Sequence, residues 1–167
     1  DLQYMAPFVR VKGGSTFKNL HVTGSVRGAI HCAGLIGTGD RQGGEIKIEN
    51  VWVSTEITCT STHAGGIVGH CGDSPSNPYT INNCLFYGKV TSTVSGQYVG
   101  AIIGWGQGPN NKITNCLENG SYENFAHCGM NYADGNSCYG NNGSNTNNYT
   151  YHNWGEVGND YKNAGNI

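Results

Sequence analysis

The sequence is poor in charged residues. Asp, Glu, Lys and Arg together make up only 12% of the 167 residues, about half of the roughly 25% that is typical of a globular domain. Nine basic and eleven acidic residues leave a net charge of −2, so no excess of positive charge is present to bind a phosphate backbone. No run of about 18 apolar residues occurs, which a membrane-spanning helix requires. The composition therefore argues against a nucleic-acid partner and against membrane insertion.

Signals for secretion and for zinc or thiol-redox motifs are also missing. The chain begins at Asp1 without a charged segment followed by an apolar one, and we expect it to be a module of a longer protein. None of the seven cysteines forms a Cys-x-x-Cys pair, which argues against zinc-ribbon and thioredoxin motifs. Cys128 and Cys138 enclose a short loop rich in Gly and Asn and are the candidate disulfide. The alternative for several cysteines is a small, buried, apolar role.

Two motifs that recur in step are the main positive signal. The first occurs as "AGLIGT", "AGGIVGH" and "GAIIGW", and its closing glycines are Gly37, Gly69 and Gly104. The second occurs as "FKNLHV", "IENVWV", "INNCLF" and "ITNCLE", and its shared asparagines are Asn19, Asn50, Asn83 and Asn115. Both motifs return after about 32 residues, and a period of about 20 to 50 residues is typical of stacked repeat proteins.

The alternation of apolar residues within each repeat predicts β-strands. Val51 and Val53 fall on one parity and Trp52 and Ser54 on the other, as in a strand with one buried face. We therefore predict an all-β fold, a right-handed parallel β-helix (solenoid) of about four coils, with the hand following the rule for parallel crossovers. The repeats span 17–121, with an N-terminal cap at 1–16 and an irregular C-terminal cap and linker-like tail at 122–167.

The recurring glycines and asparagines have structural roles in this prediction. We expect the closing glycines to permit tight corners with unusual backbone angles. We expect the asparagines of successive coils to stack, since amides about 4.8 Å apart can hydrogen-bond from one strand to the next.

Two sets of outward residues are candidate carbohydrate-binding groups, because sugars stack a C–H face on aromatic rings and hydrogen-bond their hydroxyls to His, Asn and Asp. The first set forms two columns beside the glycine corner and comprises His31, His63, Tyr98, His70 and Trp105, with Thr38 in the second column. The second set is Trp52 and Tyr87, in neighbouring coils. The alternatives are that the first set covers the edge of the core, and that Trp52 belongs to a satellite core under the tail, since Leu85 and Leu117 share its column.

Cofactor and catalytic signals are weak. Asp40 and Asp73 lie on adjacent loops after the corner and are weak calcium candidates, whereas the histidines lack recurring carboxylate or cysteine partners for a transition metal. A glycosidase needs two carboxylates about 5 to 9.5 Å apart, and Glu49 and Glu56 are too far apart along a strand at about 3.3 Å per residue. We therefore expect a module that is not an enzyme, with no cofactor other than a possible calcium ion.

The "AGGIVG" motif, followed about a dozen residues later by an Ile-x-Asn core, resembles the GLUG repeats of bacterial surface proteins over roughly residues 17 to 120. That resemblance implies an extracellular β-solenoid, found in adhesins or joined to a larger secreted protein. The chain is also similar to β-helical carbohydrate-binding modules attached to gut bacterial xylanases. This second likeness implies binding of a plant cell-wall polysaccharide, xylan or a related β-glycan, by a secreted or cell-surface module covalently linked to a glycoside hydrolase. The alternatives are an adhesive or structural repeat domain, and a polysaccharide lyase or hydrolase.

Overall fold

The computed structural model describes residues 2–40, 43–71, 78–93, 98–106 and 110–123, together with short strands at 127–131, 144–146, 149–150 and 165–166. The described part of the chain is all-β, and its strands pair in parallel, as the alternation and the repeats predicted. No helix in these ranges is long and apolar enough to cross a membrane.

The strands form two nine-stranded sheets. The first sheet contains β1 (Phe8–Val11), β3 (Ser25–Ala33), β4 (Ile36–Gly39), β6 (Glu56–Gly65), β7 (Val68–Cys71), β10 (Lys89–Ser92), β11 (Tyr98–Gly106), β14 (Ser121–Glu123) and β15 (His127–Asn131). The second sheet contains β2 (Thr16–Val22), β5 (Ile46–Val53), β8 (Tyr79–Asn82), β9 (Leu85–Phe86), β12 (Lys112–Thr114), β13 (Leu117–Glu118), β16 (Ser144–Thr146), β17 (Tyr149–Thr150) and β18 (Gly165–Asn166).

Strands pair with their equivalents one repeat away. In the second sheet His21 lies beside Trp52, Trp52 beside Leu85, and Leu85 beside Leu117. The prediction that residues about 32 positions apart lie directly over one another is therefore confirmed for these strands. A pattern along the chain becomes a column of equivalent side chains across the sheet.

The inward columns form the hydrophobic core. Ile48, Ile81 and Ile113 follow one another in register and are fully buried. The neighbouring column runs from Val53 to Phe86, and its next position is Glu118, which is also fully buried. Glu118 Oε1 accepts a hydrogen bond from the backbone N–H of Gly120 at 2.7 Å. A buried carboxylate therefore follows the apolar residues in this column, and it is hydrogen-bonded to the backbone two residues later. The periodicity of the sequence did not predict a charged residue at this position.

The asparagine column forms the predicted ladder over its first three members. Asn50 Nδ2 donates to Asn19 Oδ1 at 3.1 Å, and Asn83 Nδ2 donates to Asn50 Oδ1 at 2.7 Å. The fourth member, Asn115, donates from its Nδ2 to Oδ1 of Asn82, the residue before Asn83, at 2.8 Å. All four repeat asparagines have a positive φ, between 52° and 56°. Asparagine tolerates this left-handed conformation better than other side chains do, so the backbone supplies a second reason for its recurrence.

Substitution of Asn50 separates these two roles. We expect Asn50→Ala to lower the free energy of unfolding by about 1 to 2 kcal/mol, because it loses the amide hydrogen bonds and because alanine tolerates the left-handed region less well than asparagine does. Asn50→Gly loses the same hydrogen bonds but accepts the backbone angle, so its loss is smaller. Chemical denaturation measures both. Equal losses in the two variants would contradict the backbone role.

The closing glycines have a different role from the one predicted. Gly37, Gly69 and Gly104 have no positive φ, so the expectation of unusual backbone angles at these corners is wrong. A Cβ at Gly37 would lie 2.6 Å from the carbonyl oxygen of Val9, and one at Gly104 would lie 2.6 Å from that of Ala64. These glycines recur because neighbouring backbones approach too closely for any side chain.

The N-terminal segment pairs with the edge of the first sheet. Tyr4 forms a β-bridge with Ile30, and β1 pairs with β4. The backbone N–H groups of Ala29 and Ala33 donate to the carbonyl oxygens of Leu2 and Met5, at 2.9 and 3.0 Å. These contacts hold Tyr4 and Arg10 beside the glycine corner, where two of the candidate columns lie.

Candidate functional site

The predicted site residues fall on different sheets. His31, His63, His70 and Trp105 lie on the first sheet and form one contiguous group of rings, which we call the His–Trp cluster. Trp52 lies on β5 of the second sheet, and Tyr87 directly follows β9 of the same sheet. Tyr98 begins β11, but its side chain lies outside the described residues, as do Asp73, Cys138 and the side chain of Cys128.

The rings of the His–Trp cluster cover one another. His63 stacks on Trp105 with ring centres 4.1 Å apart and an interplanar angle of 19°. His31 lies 4.5 Å from His70 and 4.9 Å from His63, centre to centre. The strand register aligns His70 with Trp105, as the columns predicted. The rings therefore pack on each other beside the core, with His63 buried and the other three only partly buried.

His31 and His63 share a left-handed backbone, with φ of 51° and 65°. His31 lies on β3 and His63 on β6. The pairing of these two strands shifts register between Gly28 and Ile30, because β6 contains one extra residue there. Histidine is enriched, with asparagine and aspartate, among non-glycine residues of positive φ. The recurrence of histidine at this position in the two strands was the only sequence signal of this geometry. Sequence analysis interpreted that recurrence as ligand binding or as cover for the edge of the core, and neither interpretation included the left-handed backbone.

Burial keeps these histidines neutral at pH 7. The side chain of His63 is 7% exposed, and burial, with His31 and His70 nearby, lowers its pKa to about 3. Burial, with His70 and Arg10 nearby, lowers the pKa of His31 to about 4. His31 Nδ1 is buried and has no hydrogen-bond partner among the described residues. A buried polar atom of this kind commonly has water or a ligand as its partner.

A cavity of about 220 Å³ opens beside the His–Trp cluster. We call it the Arg10 cavity; its walls are Tyr4, Arg10, His31, Thr38, Gly39, Asp40 and His70. The ring of Tyr4 lies 4.9 Å from that of His31, and the Arg10 guanidinium lies 5.9 Å from the centre of the Tyr4 ring. Thr38 Oγ1 and His70 Nδ1 are 3.4 Å apart. Sequence analysis missed Tyr4 and Arg10, because they lie in the N-terminal segment and in no repeat.

The second candidate group is an exposed surface, the Trp52 face, which comprises His21, Trp52 and Tyr87. Trp52 is 43% exposed and Tyr87 is 55% exposed. Most of the tail that the satellite-core alternative places over Trp52 lies outside the described residues. His21 stacks on Trp52 with ring centres 4.1 Å apart and an interplanar angle of 14°. His21 Nε2 lies 3.1 Å from Ser54 Oγ, which orients the imidazole. Sequence analysis missed His21, although it occupies the column of Trp52 one repeat earlier.

A shallow depression of about 300 Å³ adjoins the Trp52 face. Its walls are Tyr87, Gly88, Asn119, Gly120 and Ser121. Leu85, which is partly buried, continues the column of Trp52. The surface thus combines exposed rings with amide and hydroxyl groups, the pairing that sugars require.

No family model, curated protein or solved structure matches the chain. The functional argument therefore depends on the geometry of these two sites.

Metal-binding geometry is not found in the described part of the chain. No group of three or more His, Cys, Asp and Glu side chains there is arranged to hold a metal ion. Asp40, one of the two calcium candidates, is part of the wall of the Arg10 cavity.

The described cysteines are buried thiols. Cys71 has no exposed surface, and burial raises its pKa well above the usual range. Cys32, Cys59, Cys84 and Cys116 are buried as well. These five residues fit the alternative in which cysteine serves as a small core residue.

Proposed function

We propose that this chain is a non-catalytic carbohydrate-binding module that recognises a plant cell-wall polysaccharide, xylan or a related β-glycan. The proposal takes the fold to be a right-handed parallel β-solenoid of about four coils, supported by the in-register parallel pairing of successive repeats. The resemblance to GLUG repeats and to β-helical binding modules adds a secreted or cell-surface location and a covalently linked glycoside hydrolase.

The observation that carries the proposal is the exposure of two aromatic rings on one face. Trp52 lies beside Leu85, and Tyr87 follows two residues later in that repeat. Strand spacings of about 4.8 Å and rises of about 3.3 Å per residue place the two positions about 8 Å apart on the same side of the sheet. Two separate rings on one surface are suited to successive units of a chain-like glycan.

The neighbours of the rings favour the same ligand class. His21 stacks on one side of the Trp52 indole, so the ring is preorganised and loses little freedom on binding. Asn119 and Ser121, in the depression beside Tyr87, offer an amide and a hydroxyl to the hydroxyl rim of a sugar. With only 12% charged residues in the chain, stacking and neutral hydrogen bonds are the interactions that it can supply most readily.

Removal of either ring tests the proposal. We expect Trp52→Ala and Tyr87→Ala each to weaken binding to soluble xylan or a related β-glycan by about 1 to 3 kcal/mol, or roughly 5- to 150-fold. Affinity electrophoresis followed by titration calorimetry measures this across a panel of polysaccharides. Phe8→Ala is the matched control, because Phe8 is 44% exposed but lies on the first sheet. Unchanged binding in both ring variants, with the fold retained, would refute this surface.

An adhesive or structural repeat domain is the second candidate. Exposed apolar side chains on the first strands of the two sheets, β1 and β2, favour it because they could contact another protein. Leu20 is 37% exposed, although its register partner Val51 is 1% exposed. Phe8 and Val9 are also exposed. Retention on proteins or cells without binding to any glycan would support this candidate. Release of reducing ends or unsaturated products from the panel would instead indicate a hydrolase or a lyase.

A further inference from the structure

We propose that the Arg10 cavity is a second ligand site, which binds a single sugar unit carrying a carboxylate, a hexuronate at a chain end or branch. The inference depends on the proposed function in one respect, since it takes a glycan as the ligand. It concerns a different surface, because the cavity lies at the edge of the first sheet and the Trp52 face lies on the second.

The size of the cavity limits the ligand to one unit. Its volume of about 220 Å³ is below the roughly 300 to 1,000 Å³ of pockets for drug-sized ligands. One ring with its substituents suits this space, whereas an oligosaccharide does not. The site would therefore recognise an end group or a branch, and the Trp52 face would hold the main chain.

Arg10 provides the charge that a carboxylate requires. The ion pairs in the described part of the chain join Lys47 to Glu45 and Lys89 to Glu123, so Arg10 is in neither. A guanidinium presents parallel N–H donors that match the two oxygens of a carboxylate, and this bidentate pairing is among the strongest hydrogen-bonding arrangements in proteins.

The other walls suit the remainder of a sugar ring. Asp40 and Thr38 bring a carboxylate and a hydroxyl to the same cavity, and these groups hydrogen-bond to sugar hydroxyls. The Tyr4 ring offers an apolar surface for the C–H groups. His31 Nδ1, which is buried and has no partner among the described residues, gives a further hydrogen-bonding position whose role depends on the tautomer. An acid-bearing sugar carries a carboxylate for Arg10 and hydroxyls that can donate to Asp40, whereas a simple anion carries a partner only for Arg10.

The backbone of the cavity is firmly held, which makes the site preorganised. Tyr4 lies on the bridge to Ile30, and Arg10 on β1 is in register with Thr38 on β4. His31 has a left-handed φ of 51°, and its ring packs between those of Tyr4 and His70, at 4.9 and 4.5 Å between ring centres. Groups that are placed in advance lose less conformational freedom when a ligand binds.

The test uses sodium D-glucuronate as the probe, with D-glucose and sodium acetate as comparators. We expect glucuronate to shift the imidazole NMR signals of His31 and to bind more tightly than either comparator. We expect Arg10→Gln to weaken glucuronate binding about ten-fold or more, as is typical when a hydrogen-bonded charged partner is lost. Arg27→Gln is the matched control, because Arg27 is an exposed arginine on β3 outside the cavity walls. It is expected to bind glucuronate as the wild-type protein does.

Each alternative outcome overturns a defined part of the inference. Equal binding of glucose would remove the role of the carboxylate, and equal binding of acetate with the same dependence on Arg10 would reduce the site to a general anion site. Absence of any His31 shift, or an Arg10→Gln variant that binds normally, would refute the cavity as the site. Trp52→Ala separates the two proposals: we expect it to weaken polysaccharide binding and to leave glucuronate binding unchanged. If only the glucuronate experiment fails, the Trp52 face remains supported as the polysaccharide site. If only the polysaccharide experiment fails, the Arg10 cavity remains supported as a uronate site.

Discussion

Gly69→Ala is expected to lower the free energy of unfolding by about 3 kcal/mol or more. A Cβ at this position would lie 2.7 Å from both the carbonyl carbon and the carbonyl oxygen of His31, and 2.9 Å from the carbonyl oxygen of Gly37. All three atoms belong to backbone in neighbouring strands, so relief requires the strands to separate. Overpacking in a well-packed interior costs about 1 to 3 kcal/mol, and more where the backbone has to move. Thermal and chemical denaturation measure the loss.

Gly43→Ala is the control for this substitution. A Cβ at Gly43 meets nothing within 4 Å, although its φ is +59°. The same chemical change therefore costs only the left-handed conformation, about 1 kcal/mol. Losses of similar size at the two positions would show that close approach of the strands is not the reason for the glycine at position 69.

Acid is expected to destabilise the protein through the His–Trp cluster. The folded-state pKa of His63 is about 3 and that of His31 is about 4, both lowered chiefly by burial, whereas the unfolded-state value is about 6.5. Below pH 6.5 the unfolded chain therefore binds more protons than the folded chain, and stability falls as the pH falls. Above pH 6.5 both states are neutral and the contribution is fully present. Each pKa unit corresponds to about 1.4 kcal/mol, so we expect a loss of roughly 3 kcal/mol between pH 7 and pH 4.5 after allowance for solvent screening at His31.

A substitution that keeps the backbone isolates this effect. His63→Asn removes the titrating ring but retains a residue that tolerates the φ of 65°. We expect it to reduce the stability difference between pH 7 and pH 4.5 by about 1 kcal/mol or more. Ser61→Asn, in the same strand, is the control and keeps the wild-type difference. Carboxylates titrate alike in all of these proteins, so an unchanged difference in the His63 variant would contradict the assignment to this histidine.

Sequence reasoning succeeded where local periodicity determines the structure. The alternation around Val51 and Val53 correctly predicted strands with one buried face, and the spacing of Asn19, Asn50 and Asn83 correctly predicted residues in contact across strands. It assigned the wrong cause to the glycines, because a strand-to-strand clash depends on how closely two distant segments approach. No pattern within one segment records that distance.

The sites were harder to predict than the fold. The columns of His31 with His63 and of His70 with Trp105 follow from the repeat, but the packing of those rings on one another depends on a left-handed backbone and a register shift. Tyr4 and Arg10 lie outside every repeat, and only the bridge to Ile30 and the pairing of β1 with β4 bring them to the cavity.

The sequence by itself determined the strand class, the period of about 32 residues, the inward and outward parity of each side chain and the order of the columns. These follow from local chemistry, since alternation and spacing are properties of the chain before it folds. Only the tertiary structure decided which rings are exposed, which histidines remain neutral, and which residues form the Arg10 cavity. Exposure and pKa depend on what packs against a side chain. Several of the decisive neighbours here, such as His63 for His31 and Trp105 for His63, come from about 30 residues or more away in the chain.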